Sequence, residues 1–456
     1  MDRQEGMENK TPMMQKRTMK MTVFEYDPVP KDEWSEEELC KIERFNATMG
    51  VEILSIGFKH GKHVVMATSY VGVIRIGKTT IEILPKVDKD GYKRLAAQNL
   101  LYFLSYTRKL SIKESDIARL TERTSEFFEI LIYLFARNLW ELIKKGMYKE
   151  YVAEEEYAGF LKGKWLISQQ LTQRPTTRHR FYVSYDEFTE DNPFNRIFKY
   201  AVILLQKLSN NPRNQQLLLE LSFAFNDIEF EIITKEHFVR LNANRLNSQY
   251  LPVLELARLF ILDSSIQMTA NNIETFSFVF DMNRLFEEFV YEFIRRHRDT
   301  ILPEDLKDCE IRAQSSDRYL LYTPDGMPVF KLQPDIVFIK PDGSIPLIID
   351  TKYKLLDPQD KERFGIIQSD MYQMFAYAKK YNCDKVIMLY PNKEENKEEV
   401  EKCYRIAERE NQHINVKTID IGIDLRLHKQ ILITRLNSAL KNKREEESYV
   451  YMGSNL

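Results

Sequence analysis

Apolar and polar positions alternate in short runs over the first hundred residues. Residues 22–26, 51–56, 63–67, 72–76 and 80–84 each read as strands separated by turns. They predict a small β-rich N-terminal domain over 21–95, a barrel or a curled sheet. It follows a Met-, Lys- and Arg-rich tail, 1–20, which has no apolar period and is expected to be disordered. The period then lengthens. Residues 96–274 read as a mainly helical middle region. One helical stretch begins near Leu100, a long one runs over 127–145, and others lie around 192–209, 211–222 and 250–265. From 281 to 297 the apolar positions Met282, Leu285, Phe286, Phe289, Val290, Phe293 and Ile294 form one helical stripe. Strands over 331–339, 345–354, 385–391 and 414–421 alternate with a helix over 364–378 and a charge-rich helix over 392–409. Residues 275–440 are thus expected to form a mixed α/β core, separable from the earlier regions, with a disordered tail at 441–456. The fold class expected is α+β and multidomain.

The most informative residues interrupt that last pattern. Asp335 stands in Gln333-Pro-Asp-Ile-Val-Phe338, and Asp350 and Lys352 in Ile348-Ile-Asp-Thr-Lys352. The turn 341–344, Pro-Asp-Gly-Ser, lies between them. If that turn closes a simple hairpin, position 340 pairs with 345 and Asp335 pairs with Asp350. Directly opposed side chains have Cβ atoms about 5 Å apart. Lys352, two residues on, shares the face of Asp350. Two carboxylates so placed repel without a counter-ion, and all-oxygen ligation suits Mg²⁺, for which Mn²⁺ can substitute. Such a site serves phosphodiester hydrolysis, with the lysine stabilising charge or orienting the water. The P-D-x(n)-D-x-K spacing is similar to that of the PD-(D/E)xK nuclease superfamily. A surface hairpin with scattered charges is the plain alternative, but Asp350 interrupts an apolar run where a surface charge has no reason to be.

Two neighbouring helices bear on this site. Gln373 and Tyr377 are four residues apart and share a helix face. Their Q-x-x-x-Y spacing resembles the helix after the D-x-K strand in RecB-like nucleases. Glu287 lies at the edge of the upstream stripe. It is either a third acidic metal ligand or a solvated helix charge. Gln333 and Thr351 lie beside the set without entering its chemistry.

Charge and composition narrow the partners. The 456 residues carry a formal net charge of −2, so any DNA contact must be local or left to a partner. The four cysteines and seven histidines show no metal spacing, and the cysteines read as free thiols in a reducing cytosol. No signal peptide or membrane-length apolar run is present, so a cytoplasmic chain with no membrane partner is expected. Gly72-Val-Ile-Arg-Ile-Gly-Lys-Thr79 fits a phosphate-binding loop pattern. Its Val and Ile residues and the alternating run after it instead predict a hairpin turning at Gly77-Lys78. Asp186, Glu187, Asp191, Asn195 and Arg196 read as a helix start capped by Asp191 or Asn192, with Pro193 early in the helix, rather than as a second site. Arg174, Arg178, His179 and Arg180 form a basic loop that is either a phosphate contact or solvated.

Four stretches in order resemble the McrC family, nuclease subunits of McrBC-type, modification-dependent restriction systems. They are residues 72–86, Tyr157-Ala-Gly-Phe-Leu-Lys-Gly-Lys164 with 185–199, Asp281-Met-Asn-Arg-Leu-Phe-Glu-Glu-Phe289, and Leu332-Gln-Pro-Asp335 with Ile349-Asp-Thr-Lys-Tyr-Lys354. The resemblance implies a subunit that docks its N-terminal part on a hexameric McrB-like AAA+ GTPase, stimulates GTP hydrolysis and cuts double-stranded DNA bearing modified cytosine of the 5-methylcytosine type. GTP would be bound by the partner, not by this chain. It also implies Asp335, Asp350 and Lys352 as the catalytic set, with Glu287 as the upstream acid. Two other readings stay open: a stand-alone RecB-like repair or recombination nuclease, and a non-catalytic activator of the GTPase.

Overall fold

The N-terminal region forms β1 (Met19–Phe24), α1 (Glu36–Met49), β2 (Leu54–Lys59), β3 (Lys62–Ala67), β4 (Tyr70–Ile76) and β5 (Thr79–Leu84). This computed structural model describes residues 19–31, 34–76, 79–86, 93–107, 116–117, 120–121, 126–172, 180–241, 245, 247–262, 264–269, 272–357, 360, 363–392, 400–406 and 412–441. β1 runs parallel to β5, and β5 antiparallel to β4, with Ile76 opposite Thr79. Two paired strands leave no place for a phosphate loop leading into a helix, although Gly77 and Lys78 themselves lie outside the described residues. Met19 and Lys20 belong to β1, so the expected tail 1–20 ends two residues too late. Residues 1–18 lie outside the described residues. The helix α1 was not anticipated. Its signal was present, since the Ser35 hydroxyl accepts from the Glu38 amide at 3.3 Å while Glu38 accepts from the Ser35 amide at 3.1 Å, a reciprocal cap that Ser-x-x-Glu spacing permits.

The middle region runs α2 (Lys93–Tyr106), α3 (Phe127–Ile143), β6 (Glu150–Ala158), β7 (Lys164–Trp165), α4 (Ile167–Leu171), β8 (Phe181–Thr189), α5 (Pro193–Leu208), α6 (Pro212–Ala224), α7 (Lys235–Arg240) and α8 (Leu251–Leu262). A three-stranded sheet, β6-β8-β7, interrupts its helices. Next come β9 (Ser265–Thr269) and β10 (Asn272–Asp281), which rejoin the N-terminal sheet in the order β1-β5-β4-β10-β9. The expected boundary at 274/275 therefore falls inside a strand of the first sheet. The cause is apolar alternation: Phe276, Phe278 and Phe280 are buried, and Phe278 packs on Phe128 with ring centres 5.5 Å apart. Gly72 has φ +135°, and a Cβ there would lie 2.0 Å from the Phe278 carbonyl oxygen. Only glycine lets β4 lie so close to β10.

The C-terminal part holds α9 (Met282–Arg296), α10 (Arg298–Ile301), β11 (Glu310–Ala313), β12 (Arg318–Tyr322), β13 (Pro328–Leu332), β14 (Ile336–Ile339), β15 (Leu347–Thr351), α11 (Gln368–Lys380), β16 (Lys385–Asn392), β17 (Glu401–Arg405), β18 (His413–Asp420) and α12 (Lys429–Leu440). Six strands form a mixed sheet in the order β11-β14-β15-β16-β18-β17. β14 and β15 are antiparallel, and β15, β16 and β18 parallel. Three expectations are corrected here. The strand over 331–339 is two strands, broken at Gln333-Pro334-Asp335, where proline has no N–H to give a ladder. β13 pairs with β12 instead. The helix over 364–378 starts only at Gln368, after Phe364 (φ 53°) and Gly365 (φ 72°) take left-handed backbone. Where a helix was expected over 392–409, residues 393–399 and 407–411 lie outside the described residues, Asn392 ends β16, and 401–405 is an edge strand on β18. Its charges face solvent, as an edge strand favours, and Glu401 pairs with Lys417.

The C-terminal sheet shares its core with the earlier elements. One continuous core takes in Val71 of β4, Leu100 of α2, Phe135 of α3, Phe289 of α9, Ile349 of β15 and Leu436 of α12. Asn99 Nδ2 donates to the Ile421 and Ile423 carbonyls at 3.0 and 2.8 Å. Of the expected tail at 441–456, only Lys441 is described.

Candidate active site

The β14–β15 hairpin sets the register. Ile336 lies opposite Ile349, Val337 opposite Ile348 and Phe338 opposite Leu347. One step further along the same ladder puts Asp335 opposite Asp350, as the turn spacing requires. Asp350 sits inside β15 and is 1% exposed. Asp335, just before β14, extends its Oδ2 to the end of β15, where it accepts from both the Thr351 amide and the Thr351 hydroxyl at 2.7 Å. Lys352 Nζ lies 2.6 Å from Asp350 Oδ2 and donates to Gln373 Oε1 at 3.0 Å. Gln373 Nε2 donates to the Tyr377 hydroxyl at 2.8 Å. The Lys352 amide is pinned by the Leu389 carbonyl at 2.9 Å. Asp350, Lys352, Gln373 and Tyr377 thus form one continuous polar chain between β15 and α11, with Asp335 held beside it by Thr351.

The charges are strained. Burial, and then the Asp335 charge, pushes the Asp350 carboxyl up to about 7, although the Lys352 ammonium pulls against them. Burial raises Asp335 as well, opposed by the two Thr351 hydrogen bonds. For Lys352, burial favours the neutral amine, but the Asp350 carboxylate outweighs it and the ammonium is held above its usual value. Burial and then the Asp335 charge push Glu287 up to about 7, against a hydrogen bond from Gln314 Nε2 at 2.9 Å. Burial, then the Asp350 charge, raises the Tyr377 phenol. Close acids disfavouring each other's ionised forms are a common mark of a functional site.

Glu287 feels Asp335 but does not close a three-acid site with the pair. Among the described residues no three His, Cys, Asp or Glu side chains gather closely enough to hold a metal ion. Glu287 Oε1 accepts from Gln314 Nε2, and the structure brings Asp335 and Asp350 together without gathering Glu287 into one cluster with them. The placing of Thr351 outside the chemistry is also corrected, since it anchors Asp335 through two donors. Sequence distance hid this, because Asp335 lies 16 residues earlier and reaches Thr351, the last residue of β15, from just before β14. Gln314 was missed too. It is linked to both acids, through its side chain to Glu287 and through its amide, which donates to the Asp335 carbonyl at 2.8 Å. No local pattern marks it. Asp370, in the first turn of α11, adds a further negative charge and lies 3.4 Å from Lys354 Nζ.

The other polar cluster is a joint of the fold. Asn192 caps α5, accepting from the Asn195 amide at 3.1 Å, with Pro193 first in the helix. Arg196 binds Asp191 and Glu229, each at 2.8 Å, and Asn195 Nδ2 donates to the Tyr148 and Glu190 carbonyls. Asp186 and Glu187 stand exposed on β8. Arg174, Arg178 and His179 lie outside the described residues. The Arg180 carbonyl accepts from Gln170 Nε2. Among the described residues no helix is long and apolar enough to cross a membrane.

Comparisons with known proteins bear on this geometry. The family model described as "McrBC 5-methylcytosine restriction system component" matches residues 65–391. No curated protein matches. Among solved structures, the chain is similar to one in the "Refined half-complex from tetradecameric assembly of Thermococcus gammatolerans McrB AAA+ hexamers with bound McrC". The two are 25% identical, with 92% of this chain and 100% of that one covered and a TM-score of 0.67. A chain of the Thermococcus gammatolerans McrBC complex solved by cryo-EM is 27% identical over 61% of this chain and 88% of its own, with a TM-score of 0.48.

Proposed function

The chain belongs to the McrBC 5-methylcytosine restriction system component family, and from that premise we propose that it is the nuclease subunit of a GTP-dependent restriction complex. It docks on a hexameric AAA+ GTPase, stimulates GTP hydrolysis by that partner and cuts double-stranded DNA bearing modified cytosine. Support for the partner comes from the half-complex of McrB AAA+ hexamers with bound McrC, to which this chain is similar over nearly its whole length. GTP belongs to the partner; the pairing of β4 with β5 across Gly77-Lys78 favours that assignment.

The observation that carries the nuclease reading is the convergence of Asp335, Asp350 and Lys352 in and beside a buried hairpin. Two acids with raised proton affinity, both offering oxygen ligands, fit a Mg²⁺ ion or Mn²⁺ in its place. That ion would be held by Asp335 and Asp350, and would lower the proton affinity of water and draw charge from the phosphate. Asp350 orients Lys352, and Gln373 fixes the amine from its other side. The attacking water gives a proton to solvent as its oxygen bonds to phosphorus, and Lys352 offers an N–H to the phosphate oxygens where charge develops. The phosphorus–oxygen ester bond breaks, and the leaving alkoxide takes a proton from solvent. Thr351 favours the ionised form of Asp335 by donating twice to Oδ2, against the burial that raises its proton affinity.

The test is cleavage of a modified duplex by the assembled complex with GTP and Mg²⁺, comparing parent with Asp350→Asn. Loss of cleavage with GTP turnover retained supports the reading. Equal cleavage by the variant defeats it. Cutting by the parent at full rate without partner or GTP would favour a stand-alone nuclease.

A further inference from the structure

The β2–β3 hairpin is anchored at one end and bare at the other. Leu54, Val65 and Ala67 are buried. The Val29 amide donates to the Val65 carbonyl at 2.8 Å, and the Ala67 amide to the Asp27 carbonyl at 3.0 Å. Beyond this base, every residue from Gly57 to His63 is exposed. The tip reads Phe58-Lys-His-Gly-Lys-His63, and the chain has no Asp or Glu between Glu52 and Glu82. In a protein of net charge −2 this is a local excess of positive charge.

The tip is shaped as well as charged. His60 (φ 50°) and Gly61 (φ 77°) both take left-handed backbone, which closes a two-residue turn matched to the strand twist. Lys59 then lies directly opposite Lys62, and Phe58 opposite His63. The closing pair of the hairpin thus brings two ammonium groups to the tip. Phe58, 70% exposed, packs edge-on against the His63 ring at 5.3 Å, which holds an aromatic edge among the basic groups. A two-stranded ribbon of this width fits the major groove of a DNA duplex, and basic side chains on it reach the flanking phosphates.

We propose that the β2–β3 tip is a contact for the phosphate backbone of double-stranded DNA, with Lys59 and Lys62 pairing with phosphates and Phe58 entering the groove. The inference rests on the reading of this chain as a DNA-cutting subunit, and it supplies the local positive surface that the net charge demands. An acidic face of the AAA+ ring is the competing occupant.

The experiment measures binding of a fluorescent DNA duplex by the assembled complex between 50 and 200 mM salt. It compares parent, the double variant Lys59→Ala/Lys62→Ala and the charge reversal Lys59→Glu/Lys62→Glu. GTP turnover is measured without DNA, and melting temperature checks the fold of each. Each phosphate contact contributes about 0.9 to the slope of log affinity against log salt. The double alanine variant should lose about 1.8 of that slope, so its affinity falls about tenfold less than the parent's across the range. Its GTP turnover should match the parent's, and the reversal should bind still more weakly. A folded variant with unchanged slope overturns the proposal, and an unchanged slope with lost GTPase stimulation assigns the tip to the partner ring. A parent that binds with the tip-dependent slope yet never cuts would sink the nuclease reading while leaving this contact standing.

Discussion

The Tyr353 hydroxyl donates to Glu25 Oε1 at 2.8 Å, joining the residue after Lys352 to the end of β1 across 328 positions of sequence. Both side chains are buried, at 4% and 1% exposure. The same Glu25 oxygen accepts from the Lys86 amide at 2.9 Å, and the Tyr353 ring packs on Phe286 of α9 at 5.5 Å. Lys352 faces the acid pair while its neighbour faces the N-terminal sheet. The edge of the candidate site is therefore also a seam between the first and last parts of the chain.

Removing that hydroxyl tests the seam. Tyr353→Phe leaves a buried carboxylate one donor short and should cost about 1–3 kcal/mol in urea unfolding. Adding Glu25→Gln removes the stranded charge and should recover part of the loss. An unchanged unfolding midpoint for Tyr353→Phe would show that the contact contributes nothing.

Asp335, Asp350 and Lys352 should behave as one unit. Each single alanine change is expected to lower cleavage on the order of 10⁴-fold, and pairs of changes to add little, as for groups that act together. Gln373→Ala loosens Lys352 without removing it and should cost less. Rates multiplying across the pairs would mean that the three act independently.

Thr351→Val removes one of the two donors on Asp335 and keeps the side-chain volume. Hydrogen bonds to the ionised form hold an acid's proton affinity down, so Asp335 should titrate higher in the variant. The acid limb of the cleavage pH profile should move to higher pH, with the rate recovering as pH rises. A uniform drop with no movement of the limb would make Thr351 merely structural.

How much of this was legible in the sequence depends on range. The pairing of Asp335 with Asp350 followed from counting outward from one turn, and Gln373 with Tyr377 from one helical repeat. The strands of the N-terminal sheet were visible by alternation, yet its fourth neighbour, β10, was not, because nothing local ties Phe276–Phe280 to a partner about 200 residues earlier. Glu25 lies within the strand expected over 22–26 with no local mark; only the folded chain brings it to Tyr353. The helix expected over 392–409 failed because charge density imitates a solvated helix, whereas residues 401–405 spend their alternation on an edge strand. Thr351 read only as a small polar residue between Asp350 and Lys352; the fold brings Asp335 to it from 16 residues earlier.

Glu287 offers a test of the strained charges. Its folded-state value, about 7, lies above the ordinary 4.5, so the folded protein binds a proton that the unfolded chain has released. Stability from this group is therefore present below pH 4.5, falls as pH rises, and is gone above about 7. Glu287→Gln keeps an acceptor for Gln314 and removes the penalty. In chelator-treated protein it should stabilise at pH 8 by at most about 3 kcal/mol, and by little at pH 4.5. Equal effects at both pH values would show that Glu287 titrates normally.

Truncation bears on how the molecule is divided. A nuclease core that stands alone would survive deletion of Thr22 through Lys86, but that deletion removes β4, the partner of β10, and strands the buried Tyr353 hydroxyl. It also exposes the faces of Phe276, Phe278 and Phe280 that pack beneath the sheet. Burying a phenylalanine side chain contributes about 1.5–3 kcal/mol, and a domain's whole stability is about 5–15 kcal/mol. The truncated chain should therefore show no cooperative unfolding transition, and its loss of GTPase stimulation would report misfolding rather than a missing docking surface. Asp350→Ala is the contrasting change. It removes one of two repelling carboxylates without opening a large cavity, so circular dichroism and partner binding should match the parent while cleavage is lost. A truncated chain that unfolds cooperatively, near the parent's midpoint, would show that the C-terminal sheet stands on its own.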